Sequence, residues 1–310
     1  MQRIVWITGA KGFIGRHLSR HLAQNGHSVY GIGHGIWPTN ESRIWGVSGW
    51  LNSGIDIANL EVLRRQSGTP SCVFHLAGGS SVGASFASPH EDFLRTVTST
   101  AQLVEWMRIS APEAKLVAVS SAAVYGASYD EPISEDFITR PFSPYGHHKL
   151  MMEQMCRSYA DAFDLRYTIV RLFSVYGSWL QKQLLWDLCC KLDEGDEVLY
   201  LGGTGQELRD WIEISDVVRL LEFASDPEKN SDLILNGGTG TATSVAEITS
   251  MVLNSWGGST QVEFSGNGRL GDPRRLVANN RTLDAAGFRM KIGVAQGIDD
   301  YVKWFKEARR

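Results

Sequence analysis

Cysteine is scarce in this chain, which has only Cys72, Cys156, Cys189 and Cys190. No two stand in the C-x-x-C spacing of a zinc or redox site, so they read as buried or inert thiols of a reducing compartment and no metal centre is expected. Charge of one sign is also short. The formal net charge is −4, which argues against a surface given over to nucleic acid or membrane but leaves room for a local basic pocket. No run reaches the roughly 18 uninterrupted apolar residues of a membrane span. The opening MQRIVWITGAKGFIG lacks the apolar stretch and small-residue cleavage site of a secretory signal. The expected location is the cytoplasm.

What is present is ordinary for a globular enzyme: 310 residues, 43% hydrophobic and 21% charged, enough for one large α/β domain or two unequal ones. Residues 3–8 (RIVWIT) form a short β-rich run, followed by Gly9, Gly12 and Gly15 and then helical spacing through Leu18, Leu22 and Ala23. A second strand spans 27–33. Residues 34–52 are rich in Gly, Asn, Ser and Trp and read as a long loop. A short helix at 60–65, a strand at 72–77, a helix at 93–108, a strand at 115–121, a helix at 149–163 and a strand at 167–172 follow. This alternation predicts α/β architecture with a doubly wound parallel sheet. Beyond Gly177 the pattern is less regular, with helices at 184–192, 215–224 (Ser215 or Asp216 as N-cap), 245–253 and 296–309, and strands at 197–201 and 232–236. The expected division is a dinucleotide-binding Rossmann domain over 1–172, regained at about 211–238, and a smaller substrate-binding α/β region over 173–310.

Strand, glycine turn and helix in that order suit a dinucleotide. The glycines let a pyrophosphate approach backbone N–H groups at a helix N-terminus, where the helix dipole favours negative charge. Such folds usually end the second strand on a carboxylate that holds the adenosine ribose. Here that position is Gly33, followed by His34. Without the carboxylate nothing repels a 2′-phosphate, and Arg16 or Arg43 would supply a positive partner, so NADP(H) is favoured and NAD(H) is the alternative. Tyr145 and Lys149 stand four residues apart and share one face of a helix. The ammonium, with an oxidised nicotinamide, would draw the phenol below its usual range and make Tyr145 an acid/base for a hydroxyl or carbonyl. His147 and His148 between them have no carboxylate nearby in sequence and read as surface or packing residues. Trp179, Trp186 and Trp211 are candidates for stacking on a nucleobase, although core packing is the plainer reading.

These motifs carry a family resemblance. TGAKGFIG, with Gly9, Gly12, Phe13, Ile14 and Gly15, resembles the opening of extended short-chain dehydrogenases/reductases of the sugar-nucleotide epimerase, dehydratase and reductase group. PFSPYGHHK (141–149) is similar to their P-x-S-x-Y-x-x-x-K, and VSSAAVYG (119–126) to their serine strand, which places the catalytic hydroxyl at Ser121. The resemblance implies that Ser121, Tyr145 and Lys149 are catalytic, with Lys149 also holding the nicotinamide ribose. It puts Asp56 and Ile57 beside the adenine, and Leu76, Ala77 and Gly78 of HLAGGSSV along the cofactor. His75 in that segment is expected to be structural. For the substrate it implies Ser80, Ser81 and Ser174, with Arg209 (GQELRDW) and Arg269 (GRLGDPR) clamping a diphosphate. Ser174 and Thr96 replace asparagines frequent in relatives. The Asp-Glu of the 4,6-dehydratases is here Ala122 and Ala123, which sets dehydration aside. The implied substrate is a nucleoside diphosphate sugar, and the implied assembly is a homodimer through helices 93–108 and 149–163. Reduction of an NDP-4-keto-6-deoxyhexose at C4 is the preferred reaction on the strength of Gly33. The alternatives are 4-epimerisation with tightly bound NAD and, in a minor way, a non-catalytic cofactor-binding or interaction role.

Overall fold

The computed structural model describes all residues except 1–2, 196, 227–232, 259, 268–272 and 310. The chain begins with β1 (Ile4–Thr8), α1 (Phe13–Gln24), β2 (Ser28–Gly33), α2 (Thr39–Ile44), β3 (Val47–Asn52), α3 (Ile57–Ser67) and β4 (Cys72–His75). Then come α4 (Val82–Ala87), α5 (Pro89–Phe93), a π-helical turn at Leu94–Thr98, α6 (Ser99–Ser110), β5 (Lys115–Ser121), a 3₁₀ turn at Ala122–Tyr125, α7 (Pro144–Phe163) and β6 (Tyr167–Leu172). The remainder is β7 (Ser174–Tyr176), α8 (Gln183–Glu194), β8 (Val198–Leu201), β9 (Leu208–Arg209), β10 (Trp211–Glu213), α9 (Ile214–Ala224), β11 (Leu233–Gly237), β12 (Thr243–Ser244), α10 (Val245–Trp256), β13 (Gln261–Phe264), β14 (Arg275–Leu276), α11 (Arg281–Ala285) and α12 (Val294–Arg309).

Seven strands form one sheet in the order β11-β6-β5-β4-β1-β2-β3, with β3 through β6 paired in parallel throughout. This is the Rossmann-type α/β sheet that the strand-helix alternation predicts. The order reverses between β1 and β4. That is a topological switch point, where the loops after the two strands diverge and leave a crevice for a ligand. The glycine turn follows β1 and residues 76–80 follow β4, so both approach that crevice. Beneath it the core is apolar and aromatic: Trp6 stacks on Trp106 with centroids 4.7 Å apart, among Leu63, Val73, Leu103, Leu116 and Ile169.

Residues 34–52 are not one long loop. They hold α2 and the sheet-edge strand β3, which pairs with β2 through a register irregularity at Val29/Tyr30. An edge strand faces one partner only, and VSGWLN lacks the continuous apolar run that marked the inner strands. Helix α9 also differs from expectation at its start. It begins at Ile214, so Ser215 and Asp216 lie inside it; Glu213 accepts from Ser215 N at 2.6 Å, and Asp216 accepts from the Lys291 and Ile292 N–H groups at 2.9–3.1 Å. Residue 232, expected at the start of a strand, lies outside the described residues.

By compactness the chain divides into a unit of Met1–Gly126, Ile138–Leu172 and Val218–Leu235, and a second of Ala127–Phe137, Phe173–Val217 and Asn236–Arg310. The second is organised by Asp210, fully buried, which accepts from the N–H groups of Thr239, Gly240 and Ala278. Among the described residues no helix is long and apolar enough to cross a membrane.

Candidate active site

The turn after β1 is built by its glycines. Gly9 has φ +72, which favours glycine, and donates to Ile32 O at 2.8 Å. A Cβ on Gly15 would stand 2.3 Å from Gly9 O, so only glycine lets α1 start this close to the turn. Gly12 caps α1 with no side-chain hydrogen bond, and the first turn, which holds Phe13, Ile14 and Gly15, has no acidic residue. The free N–H groups and the positive end of the helix dipole are thus available to an anion, as a dinucleotide pyrophosphate requires.

The β1 and β4 turns are locked together by a proton chain. Thr8 Oγ1 accepts from Leu76 N (3.2 Å) and Ala77 N (3.1 Å), which leaves its own hydrogen for His75 Nδ1 at 2.8 Å. His75 Nε2–H then faces Thr100 Oγ1 at 3.0 Å, and Thr100 donates to Thr96 O at 2.6 Å. Burial, with the positive charge of Lys149, lowers His75 to about 3, so it is a neutral structural bridge. Thr96, in place of the family's asparagine, accepts from Gly79 N at 2.8 Å. A side chain on Gly78 would begin 3.2 Å from Lys149 Nζ. The β4 turn therefore runs directly beside the lysine.

Helix α7 begins at Pro144 with Ser143 as N-cap, its hydroxyl accepting from Gly146 N at 3.1 Å. Tyr145 N donates to Ser85 Oγ of α4 at 3.0 Å. These contacts fix the first turn of α7, where Tyr145 is half-buried. Of the two serines ending β5, Ser120 is buried and donates to Glu153 Oε1 at 2.6 Å, whereas Ser121 stays half-buried, accepts from Ala123 N at 3.2 Å and lies near enough to the Tyr145 phenol to favour its ionised form. Lys149 Nζ lies 5.9 Å from the centre of the Tyr145 ring and donates to Val119 O at 2.9 Å.

Burial raises the Tyr145 phenol, the neighbouring Ser121 hydroxyl lowers it, and the negative charge of Asp92 raises it again, for a net upward shift. Lys149 is itself lowered to about 8 by burial, against the opposing pull of Asp92 and Glu153. His148, expected as a surface or packing residue, is a buried packing residue whose Nδ1 is 2.6 Å from Asp92 Oδ2. Sequence spacing could not reveal that carboxylate, 56 positions away.

The adenosine end carries a reason for the missing carboxylate. A side chain on Gly33 would meet Trp50 Cη2 of β3 at 3.0 Å. Trp50 Nε1 donates to Gly35 O at 3.1 Å, Gly35 N to Asn52 Oδ1 at 2.8 Å, and Lys11 Nζ to Ile36 O at 2.6 Å. Lys11, from within the glycine turn, is the cation that reaches the loop after β2, and no motif singled it out. Arg16 instead donates to Lys11 O at 3.0 Å and lies over Trp45 at 5.3 Å. Arg43 and His34 are exposed. Asp56 caps α3, accepting from Asn59 N at 2.8 Å, next to the exposed Ile57.

Ser80 is exposed, and Ser81 caps α4 through Ala84 N at 3.3 Å. In the second unit Ser174 is half-buried on β7, and Arg209 NH1 donates to Leu208 O (3.0 Å) and Pro273 O (2.7 Å). Arg269 lies outside the described residues. Trp186 and Trp179 each pack against Trp304, at 6.3 and 6.0 Å, and Trp211 packs against Tyr176 at 6.2 Å. Among the described residues no group of three or more His, Cys, Asp or Glu could hold a metal ion.

A glycine turn open to an anion at a sheet switch point, with a serine, a tyrosine and a lysine gathered beside it, defines a nicotinamide-dinucleotide-dependent enzyme of the extended short-chain dehydrogenase/reductase type. The chain belongs to the NAD dependent epimerase/dehydratase family, which it matches over residues 5–236. It is 28% identical to a UDP-glucose 4-epimerase of Mycolicibacterium smegmatis, over 97% of each chain. Its fold is similar to that of the UDP-glucose 4-epimerase of Thermotoga maritima solved with UDP-glucose (TM-score 0.90, 25% identity, 99% of this chain and 100% of that one). It is also similar to the UDP-glucuronic acid 4-epimerase of Bacillus cereus solved with UDP-glucuronic acid and NAD (TM-score 0.86, 26% identity, 98% and 99%). The minor expectation of a non-catalytic protein therefore gives way to an enzyme.

Proposed function

We propose that this enzyme interconverts C4 epimers of a UDP-hexose, with Tyr145 as the acid/base. The observation that carries the reading is likeness along the whole chain to UDP-sugar 4-epimerases, which displaces the C4 reductase as the preferred reaction. When bound, the nicotinamide would take the C4 hydride and return it to the other face. Tyr145 would remove the proton of the 4-hydroxyl and restore it after the sugar turns. Ser121 would hold the same oxygen in a hydrogen bond, and Lys149 would supply positive charge beside the phenol and anchor the nicotinamide ribose. Arg209, with Arg269, would meet the diphosphate. Gly12 to Gly15, with Asp56, Ile57 and residues 76–78, would line the cofactor, and Ser80, Ser81 and Ser174 the sugar. Dimerisation through α6 and α7 belongs to the same reading, supported by the exposed apolar Met151 on α7 and Leu94 just before α6.

Cofactor content tests the proposal. Protein purified without added nucleotide and then denatured should release stoichiometric oxidised dinucleotide, because an epimerase needs none from solution. Protein that arrives empty and consumes NADPH with a 4-keto-6-deoxy sugar nucleotide would reinstate the reductase. One observation favours that second reading: Gly33, covered by Trp50, offers no carboxylate against a 2′-phosphate. Lys11, whose Nζ reaches the loop after β2 at Ile36 O, would be the cation to receive such a phosphate. Lys11→Ala is expected to weaken NADPH binding by roughly tenfold, as for loss of one charged hydrogen bond, and to leave NADH nearly unchanged. Titration of both nucleotides into the emptied protein reads this out, and equal losses for the two would remove Lys11 from cofactor selection.

A further inference from the structure

Two buried side chains beside the catalytic turn have no part in the chemistry above. Asp92 is on α5 and His148 is on α7 immediately before Lys149; both are largely buried and joined at 2.6 Å. The other carboxylate oxygen, Asp92 Oδ1, presses on the β4 turn, since a Cβ on Gly79 would stand only 1.8 Å from it. Phe93 closes over the imidazole edge-on, with centroids 5.5 Å apart. The pair thus ties together α5, the second turn of α7 and the turn running beside Lys149.

We infer that Asp92 and His148 are positioning residues for the acid/base, seating α7 against the β4 turn and setting the charge that Tyr145 and Lys149 experience. The inference rests on Tyr145 being the acid/base. A carboxylate and an imidazole are costly to bury, so a pair kept here by chance would be displaced readily by apolar side chains of similar size. The groups facing the site from each packed element fix the expected signs. Lys149, His148 and Glu153 come from α7, Ser121 from β5, His75 from β4, Asp92 from α5, and the hydroxyls of Ser85 and Thr96 from α4 and the π turn. Of the acids, Asp92 acts on both Tyr145 and Lys149, opposing the phenolate and favouring the ammonium.

The test is a tyrosinate absorbance titration of the purified protein with its cofactor, with the Tyr145→Phe titration subtracted to isolate Tyr145. Asp92→Asn keeps the hydrogen bond to His148 and removes the charge, so the Tyr145 transition should move to lower pH. His148→Asn keeps a donor for Asp92 and retains the carboxylate, so its transition should not move lower. Thermal melts of both variants separate this from unfolding. An Asp92→Asn transition at the wild-type pH with only a lower Tm, or a downward move in both variants, would reduce the pair to a structural contact. A protein that titrates as expected but turns over no sugar nucleotide would sustain the pair and count against the proposed reaction instead.

Discussion

Replacing Tyr145 by phenylalanine is expected to lower kcat by about 100- to 10,000-fold, the usual span for losing a positioned acid/base, while cofactor affinity stays close to wild type. The two outcomes separate because the hydroxyl and the binding contacts belong to different atoms. The turn that carries residue 145 is held by its backbone N–H to Ser85 Oγ and by the Ser143 cap, neither of which needs the phenol. Lys149 keeps its bond to Val119 O, and the glycine turn is untouched. Steady-state turnover together with dinucleotide titration and a thermal melt checks all three points. Comparable loss of turnover and of cofactor binding would mean that the hydroxyl holds the cofactor in place rather than acting on the substrate alone.

Arg171→Met should have the largest effect on stability. Glu153 is fully buried and takes Arg171 Nε at 2.9 Å and NH2 at 2.7 Å, while NH1 donates to Tyr125 OH at 2.8 Å. Burial works against the guanidinium's charge, but the hydrogen bond and charge of Glu153 overcome it and raise Arg171 above its ordinary value. Removing the arginine leaves a buried carboxylate with Ser120 as its remaining partner, at a cost of about 3–5 kcal/mol. Denaturant unfolding should report that loss. The double variant Glu153→Met/Arg171→Met should regain most of it, because the uncompensated charge goes too. Ser120 precedes the proposed catalytic Ser121, so the single variant should also turn over more slowly. A single variant within about 1 kcal/mol of wild type, the scale of a surface pair, would mean that water reaches Glu153.

The inner strands were legible because burial on both faces writes itself as continuous apolar sequence, as in YTIVRL and KLVAVSS. The glycine turn was legible because sterics leave glycine alone at positions 9 and 15. Strand β3 was hidden: Trp50 and Gly49 serve the ends of their neighbours, and VSGWLN carries little periodicity of its own. The same concealment covered the surroundings of Gly33, since the tryptophan that would crowd a side chain there arrives from that unrecognised strand. Lys11 sits at a variable position of the glycine motif, and only the folded loop shows that it reaches Ile36 O. The Asp92–His148 pair depends on α5 meeting α7, a tertiary contact that local spacing cannot encode. Long-range polar pairing, more than secondary structure, was what the linear order concealed.

The most direct test of the central claim is to give the purified enzyme UDP-glucose and UDP-galactose, and separately UDP-glucuronic acid, with no added cofactor, and to follow both the sugar and the nicotinamide absorbance. The expected result is approach to the same epimer ratio from either side with no net formation of reduced dinucleotide. No epimer from any UDP-hexose, with stoichiometric NADPH oxidation on a 4-keto-6-deoxy sugar nucleotide, would contradict it.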